Sequence, residues 1–346
     1  MTLIYFILVL GVTVFIHELG HFIFAKKAGI YIYEFSIGMG PRLFKFNRKN
    51  DETVYSIRLL PIGGYVSMSG EEVEVDESVP LEQRFQSKTW IQRLLTITAG
   101  VIFNFILAII LLFIVGLVVG APNNKPIITS LDEEYPVYNT ELKPGDKIIK
   151  VNNKKVNSVD RFLLELQLNN GKNLTFEVVD NNNAIKKVEL EPKKIEENGT
   201  EMYRYGFSLD NSVTKGILPS IKFAFAKTGS LIEQMMIIVK SLITGQLKLN
   251  SLAGPIGIYG IVGKTAKAGL INLVYLIAFL SINVGFINIM PFPAFDGGRL
   301  LFLIIEKIKG SPINAKVENI VHNIGFSLLI LLMLLVTYND ILRLFK

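Results

Sequence analysis

The chain alternates between long apolar runs and mixed polar stretches. A bilayer crossing needs about 20 predominantly apolar residues. Four runs meet that need: residues 1–29, 98–120 and 269–300, and Ile320 to Tyr338 inside 301–346. Residues 30–97, between the first two, carry charges of both signs and two strand-like pieces, Glu34–Pro41 and Tyr55–Val66, punctuated by Gly and Pro. Open strands cannot face lipid, but they are allowed where protein or a wet cavity covers them. The segment therefore reads either as a small cytoplasmic hairpin or as a re-entrant β element. In residues 121–207, short alternating runs (Lys147–Val151, Leu174–Val179) flank an amphipathic piece, Ser158–Leu168, which predicts a small α+β module. In residues 208–268, the piece Leu231–Lys240 is apolar but too interrupted for a span, and it predicts an interfacial helix. Ser251–Ile258 breaks the helix that precedes it.

Composition sharpens the picture in three places. Hydrophobic residues make up 50% of the chain, too many for an ordinary soluble domain when they cluster in this way. The formal charge of +6 is modest and reads as loop charge beside a membrane, and no basic–aromatic repeat suggests nucleic acid as a partner. The absence of cysteine removes disulfides, thiol nucleophiles and Cys-ligated zinc, leaving His and carboxylate as ligands. The first run lacks a positive leading region and a cleavage site, so it reads as a retained helix, and Lys26 and Lys27 mark its cytoplasmic end.

The candidate chemistry lies in that first run, at Ile16-His17-Glu18-Leu19-Gly20-His21. His17 and His21 are one helical turn apart, so both imidazoles leave one face and can grip a single metal ion. Glu18 lies beside that face, where it could accept a proton from water. At 1.5 Å per residue His21 is about 7 Å from the cytoplasmic boundary, so the site falls within the membrane near its inner side. Ionisable groups are costly there, and three at ligand spacing favour zinc over a polar seam between helices. A catalytic zinc needs a third protein ligand. The third apolar run ends in Asn288-Ile289-Met290-Pro291-Phe292-Pro293-Ala294-Phe295-Asp296-Gly297-Gly298, where the prolines force an extended strip and leave Asp296 on a Gly-flanked turn. Asp296 is the best-placed carboxylate, although Asp there could also cap the next helix. His322, at the foot of the last run, reads as an interface residue.

The pairing of HExxH in the first span with N-x-x-P-x-P-x-x-D-G in a late one resembles the site-2 protease family of intramembrane zinc metalloproteases, most closely the bacterial regulator-of-sigma-E branch. Gly254-Pro255-Ile256-Gly257 also fits, and the likeness covers nearly the whole chain. The resemblance implies that His17, His21 and Asp296 bind Zn2+ and that Glu18 is the catalytic base. It implies that Asn288 contacts substrate and that the hairpin at Ser36, Ile37 and Gly38 helps hold the substrate strand. Its implied substrates are transmembrane segments of single-span, already trimmed proteins, such as anti-sigma factors or remnant signal peptides. Leu142–Asn152 separately resembles the core strand and turn of PDZ domains, without a recognisable Gly-rich carboxylate loop. The predicted fold is thus a polytopic α-helical membrane protein with four transmembrane helices, a cytoplasmic-side re-entrant β element and one extracytosolic PDZ-like α+β domain. Both termini lie outside, in a cell inner (plasma) membrane whose lipid is a further partner. The competing reading is a non-catalytic PDZ-bearing membrane scaffold, in which the glutamate of HExxH would have no task. A zinc transporter would need polar groups along the whole path, and the outer halves of these spans are nearly free of them.

Overall fold

The first apolar run folds as α1 (Thr2–Lys27) and stops for a visible reason. Gly29 takes a left-handed φ of 67°, its N–H donates to the Lys26 carbonyl, and the Ile30 N–H donates to the Ala25 carbonyl. That double bond is the Schellman termination, which glycine enters without strain. The structure, a computed structural model, describes residues 1–49, 51–70, 76–197 and 200–344. It divides into two units: Met1–Leu112 with Lys248–Lys346, and Phe113–Leu247.

In the first unit the chain leaves α1 into β1 (Ile32–Asn47) and β2 (Val54–Met68). Their pairing makes four short strands out of two long ones. Ile32–Ile37 runs opposite to Gly64–Met68, and Arg42–Asn47 opposite to Val54–Arg58, while Glu34–Ile37 also advances in step with Val54–Ile57. Ile32–Ile37 is therefore paired on both sides, whereas Gly64–Met68 keeps one edge open. Glu34 pins this small sheet: it accepts hydrogen bonds from Ser56, Arg42, Arg58 and Tyr65. Burial opposes its charge, but these donors outweigh burial and hold its carboxyl at about 2, so the anion persists through the physiological range. The root of the sheet packs on the end of α1 through Ala25, Ile30, Ile32, Phe35, Val66 and Met68. Its far part leaves Met39, Leu43, Phe44, Phe46 and Leu59 exposed.

The next helix, α2 (Trp90–Val119), starts several residues before the expected span. Its first turns are anchored by polar contacts of Trp90 and Arg93, which hydropathy does not register. The second unit comprises β3 (Ala121–Pro122), β4 (Ile128–Leu131), β5 (Lys147–Val151), β6 (Lys154–Lys155), α3 (Val159–Leu168), β7 (Leu174–Val179), β8 (Ile185–Leu190), β9 (Lys193–Glu197), β10 (Thr200–Arg204), β11 (Phe207–Leu209), β12 (Val213–Thr214) and α4 (Ile217–Ile243). An antiparallel sheet of order β6-β5-β7-β8 packs Ile148, Phe176 and Leu190 against Phe162 of α3, whose N-terminus is capped by Ser158. The strands run on past residue 207, because β11 pairs with β4 and β12 with β3. The interrupted apolar stretch forms the single helix α4, fastened to α3 by Lys227–Asp160 at 2.5 Å and by Ser230 donating to Asp160 at 2.8 Å.

The first unit resumes with α5 (Pro255–Lys267), α6 (Leu270–Ile289), α7 (Asp296–Lys309) and α8 (Ala315–Leu344). Trp90 Nε1 of α2 donates to the Leu303 carbonyl of α7, and Arg93 forks onto Glu306 at 2.7 and 3.0 Å. Among the described residues four helices are long and apolar enough to cross a membrane: α1, α2, α6 and α8. The N-terminal half of α1 packs Phe6 and Val9 against Val262 of α5 and Leu273 and Ile277 of α6. Buried Asp340 of α8 accepts the Gly257 N–H at 2.8 Å and so ties α8 to the start of α5.

Candidate metal centre

The histidines of α1 lie between its two apolar packing zones, and two further elements complete their surroundings. Close approach of α2 is made possible by small residues. A Cβ on Gly20 would stand 2.5 Å from the Ala99 carbonyl, and a Cβ on Gly100 would stand 2.3 Å from His21 Nε2 and 2.9 Å from His17 Nε2. The last element is the turn between α6 and α7. Met290, which precedes Pro291, is extended (φ −63°, ψ 140°), as a residue before proline must be, and it ends α6. The strip then folds back so tightly that a Cβ on Gly297 would lie 2.1 Å from the Met290 carbonyl, and one on Gly298 2.5 Å from that of Phe292. Only the paired glycines permit this return, which brings Asp296 to the level of the histidines.

Asp296 Oδ2 lies 3.1 Å from His17 Nε2 and 3.3 Å from His21 Nε2, and the two Nε2 atoms are 3.3 Å apart. Asp296 opens α7 without capping it, since that helix has no side-chain cap. His21 Nδ1 is 2.8 Å from the Thr96 carbonyl, which can only accept, so the proton is on Nδ1 and the Nε2 lone pair faces inward. The His21 lone pair and a carboxylate oxygen thus converge on one point with His17 Nε2 beside them, an arrangement that a cation between them would stabilise. Zinc with bonds of about 2.0–2.1 Å in tetrahedral geometry separates its ligands by about 3.3–3.4 Å, close to the triangle seen here. The donor set fits zinc.

Glu18, His17, His21 and Asp296 line a cavity of about 360 Å3. Gly64 presses the sheet onto Glu18, since a Cβ there would be 3.3 Å from Glu18 Cγ and 2.7 Å from the Ser36 carbonyl. The strand that borders the cavity is Tyr65–Met68. Ser36 is buried one strand further away and donates its Oγ–H to the Gly38 carbonyl, while Ile37 is part-exposed and Gly38 takes a φ of 88°. Asn288 sits in the last turn of α6, half-buried, with no hydrogen bond from its side chain among the described residues. His322 and Arg299 border the same cavity and a neighbouring one of about 500 Å3, outside the ligand triangle. Sequence reading missed Thr96, Gly100, Tyr65 and Arg299. Tyr65 had a signal in the Gly63-Gly64-Tyr65 run, and Thr96 acts through its backbone, which leaves none.

Two histidines from one apolar span and a carboxylate from the turn that follows another, with a glutamate beside them and a cavity at hand, define a membrane-embedded metallohydrolase. The model of peptidase family M50 matches residues 5–332, and the chain belongs to that family, the site-2 proteases. It is 35% identical to the zinc metalloprotease RasP of Bacillus licheniformis and to the regulator of sigma-W protease RasP of Bacillus subtilis, with 99% of each chain covered in both cases. It is 34% identical to RasP of Geobacillus kaustophilus, covering 99% of this chain and 98% of the relative. The protein is a zinc metalloprotease.

Proposed function

We propose that this protein hydrolyses peptide bonds inside the transmembrane segments of single-span membrane proteins that have already been trimmed on their outer side. The observation that carries the reading is the meeting of His17, His21 and Asp296 beside Glu18, with both histidines inside a helix long and apolar enough to cross a membrane. His17, His21 and Asp296 hold the metal. Bound zinc supplies Lewis-acid activation. Glu18 takes a proton from the attacking water and passes it to the departing amide nitrogen. A helical substrate hides its amides, so it must unwind, and the unwound strand needs backbone partners. The open edge of Tyr65–Met68 offers them by strand addition. Ser36, Ile37 and Gly38 support that edge from the next strand, and Asn288 offers its unengaged amide to the substrate. A membrane-anchored regulator of a sigma factor is a fitting substrate, in line with the name of the Bacillus subtilis relative. Zinc analysis and cleavage of a model transmembrane peptide in detergent test the reading. Wild type cleaves, and Glu18→Gln keeps its zinc and loses turnover, because the change removes the base and no ligand. Wild-type activity in that variant would refute the mechanism, and equal inactivity of both proteins would favour a scaffold.

The finer topology belongs to the same reading. Lys26 and Lys27 end α1 on the cytoplasmic side, α2 returns outward, and residues 121–207 together with β11 and β12 form an extracytosolic PDZ-like domain. A groove of about 1000 Å3 between α3 and β11 supports that comparison. The exposed apolar residues of the sheet support a re-entrant element dipping into an inner (plasma) membrane from residues 30–97. The spans are then α1, α2, α6 and α8, in place of the expected 1–29, 98–120, 269–300 and the helix within 301–346, and what remains of 208–268 after β12 lies along the interface. In this cysteine-free chain, a cysteine at Asn181 reacts with an impermeant thiol reagent from outside intact cells and one at Arg48 does not. Reversed labelling overturns the orientation.

A further inference from the structure

Asn104 of α2 is fully buried within a membrane span. Its amide lies 3.2 Å from His17 Nδ1, with Nδ2 turned to the ring and Oδ1 buried without a partner. A buried polar side chain in hydrocarbon is unfavourable, and an interhelical hydrogen bond there returns little on average. Helix pairing is a weak reason for its presence. We infer that Asn104 is a positioning residue for His17, orienting the ring and selecting the tautomer that offers Nε2 to the metal. The inference rests on the reading of His17 as a ligand.

One face of α2 carries the partners of both histidines. Thr96, Gly100 and Asn104 are spaced at i, i+4 and i+8, so they lie along a single stripe. That stripe faces His21 and His17, which are themselves four residues apart on an antiparallel helix. Thr96 contributes a carbonyl to His21 Nδ1–H, Gly100 leaves room for both rings, and Asn104 meets His17 Nδ1. The His21 partner can only accept, which fixes that ring with its Nε2 lone pair inward. The His17 partner can do either. With Nδ2 toward the ring, Nδ1 accepts and the proton sits on Nε2, aimed at Asp296 Oδ2 3.1 Å away. A half-turn of the amide presents Oδ1 instead, which accepts Nδ1–H and frees Nε2 for the metal. An aspartate at this position can only accept and a leucine can do neither. The two substitutions therefore separate an acceptor role from mere space-filling.

The test is zinc affinity of the full-length protein in detergent, measured by chelator competition, with the visible spectrum of the cobalt-substituted form alongside. Asn104→Leu weakens zinc by about 10–100-fold, the usual effect of removing a partner of a metal-bound histidine. It also alters the cobalt bands, while the metal-free protein unfolds at a similar temperature. Asn104→Asp stays within a few-fold of wild type. If leucine disturbs the helix pair, Asn104→Ser, polar but too short to reach Nδ1, shows the same loss. Unchanged affinity in Asn104→Leu or Asn104→Ser, or equal losses in Asn104→Leu and Asn104→Asp, overturns the inference. Undiminished zinc in His17→Ala alone would instead refute the ligand assignment on which it rests.

Discussion

His17→Ala, His21→Ala and Asp296→Asn each reduce bound zinc to background in the purified protein and abolish peptide hydrolysis. Three protein ligands leave none to spare in a catalytic site, so each loss is felt in full. The Asp296 variant is the most informative. Asparagine keeps the shape of the turn after Pro293 and the start of α7, because the helix takes no side-chain cap from this residue. A loss of metal therefore reports ligation and not folding. Full zinc occupancy in Asp296→Asn, measured by elemental analysis after dialysis against a weak chelator, would remove Asp296 from the metal and break the link between the first span and the α6–α7 turn.

Gly100→Ala lowers zinc affinity by on the order of 100-fold or more, beyond the usual effect of losing an outer partner, and it does so without unfolding the protein. The new methyl would stand 2.3 Å from His21 Nε2 and 2.9 Å from His17 Nε2. Both are ends of side chains that can swing away, and alanine is the better helix former by about 1 kcal/mol. The fold yields at the rings, and the ligand triangle is lost. Gly20→Ala gives the contrasting result. Its methyl meets the Ala99 carbonyl at 2.5 Å and the Gly100 backbone nitrogen at 2.9 Å, so α1 and α2 must separate, and thermal stability falls along with zinc. Equal melting losses in the two variants, or zinc held at wild-type affinity in Gly100→Ala, would show that the helices adjust and that Gly100 is not the cradle of the site.

Much of this molecule could be read along the chain because its signals are local. Apolar run length locates α1, α2, α6 and α8, since the hydrocarbon core sets a minimum span that few other structures need. The HExxH pair is legible because a helical turn fixes the relation of His17 to His21 within five residues. Pro291 and Pro293 announce the break after α6 because proline's constraint acts on its immediate neighbours. What joins those pieces was not legible. The sequence offers Asp296 as the best-placed carboxylate, and the resemblance to a family pairs it with the histidines, but neither shows the contact. Their 3.1–3.3 Å separations depend on a return of the chain that Gly297 and Gly298 permit but do not dictate. The same holds for the sheet. Alternation marks Ile32–Ile37 and Gly64–Met68 equally well as strands, yet only their pairing leaves Tyr65–Met68 with the open edge and Ser36 inside. Asn104 stands in an apolar run, and nothing in its own neighbourhood points to His17, 87 positions away. Sequence determined which helices are long and apolar enough to cross a membrane and where the histidines of α1 stand. Tertiary packing of small residues, Gly20 on Ala99 and Gly100 on the imidazoles, decided which groups meet there, because contacts between distant segments leave no periodic trace in either one.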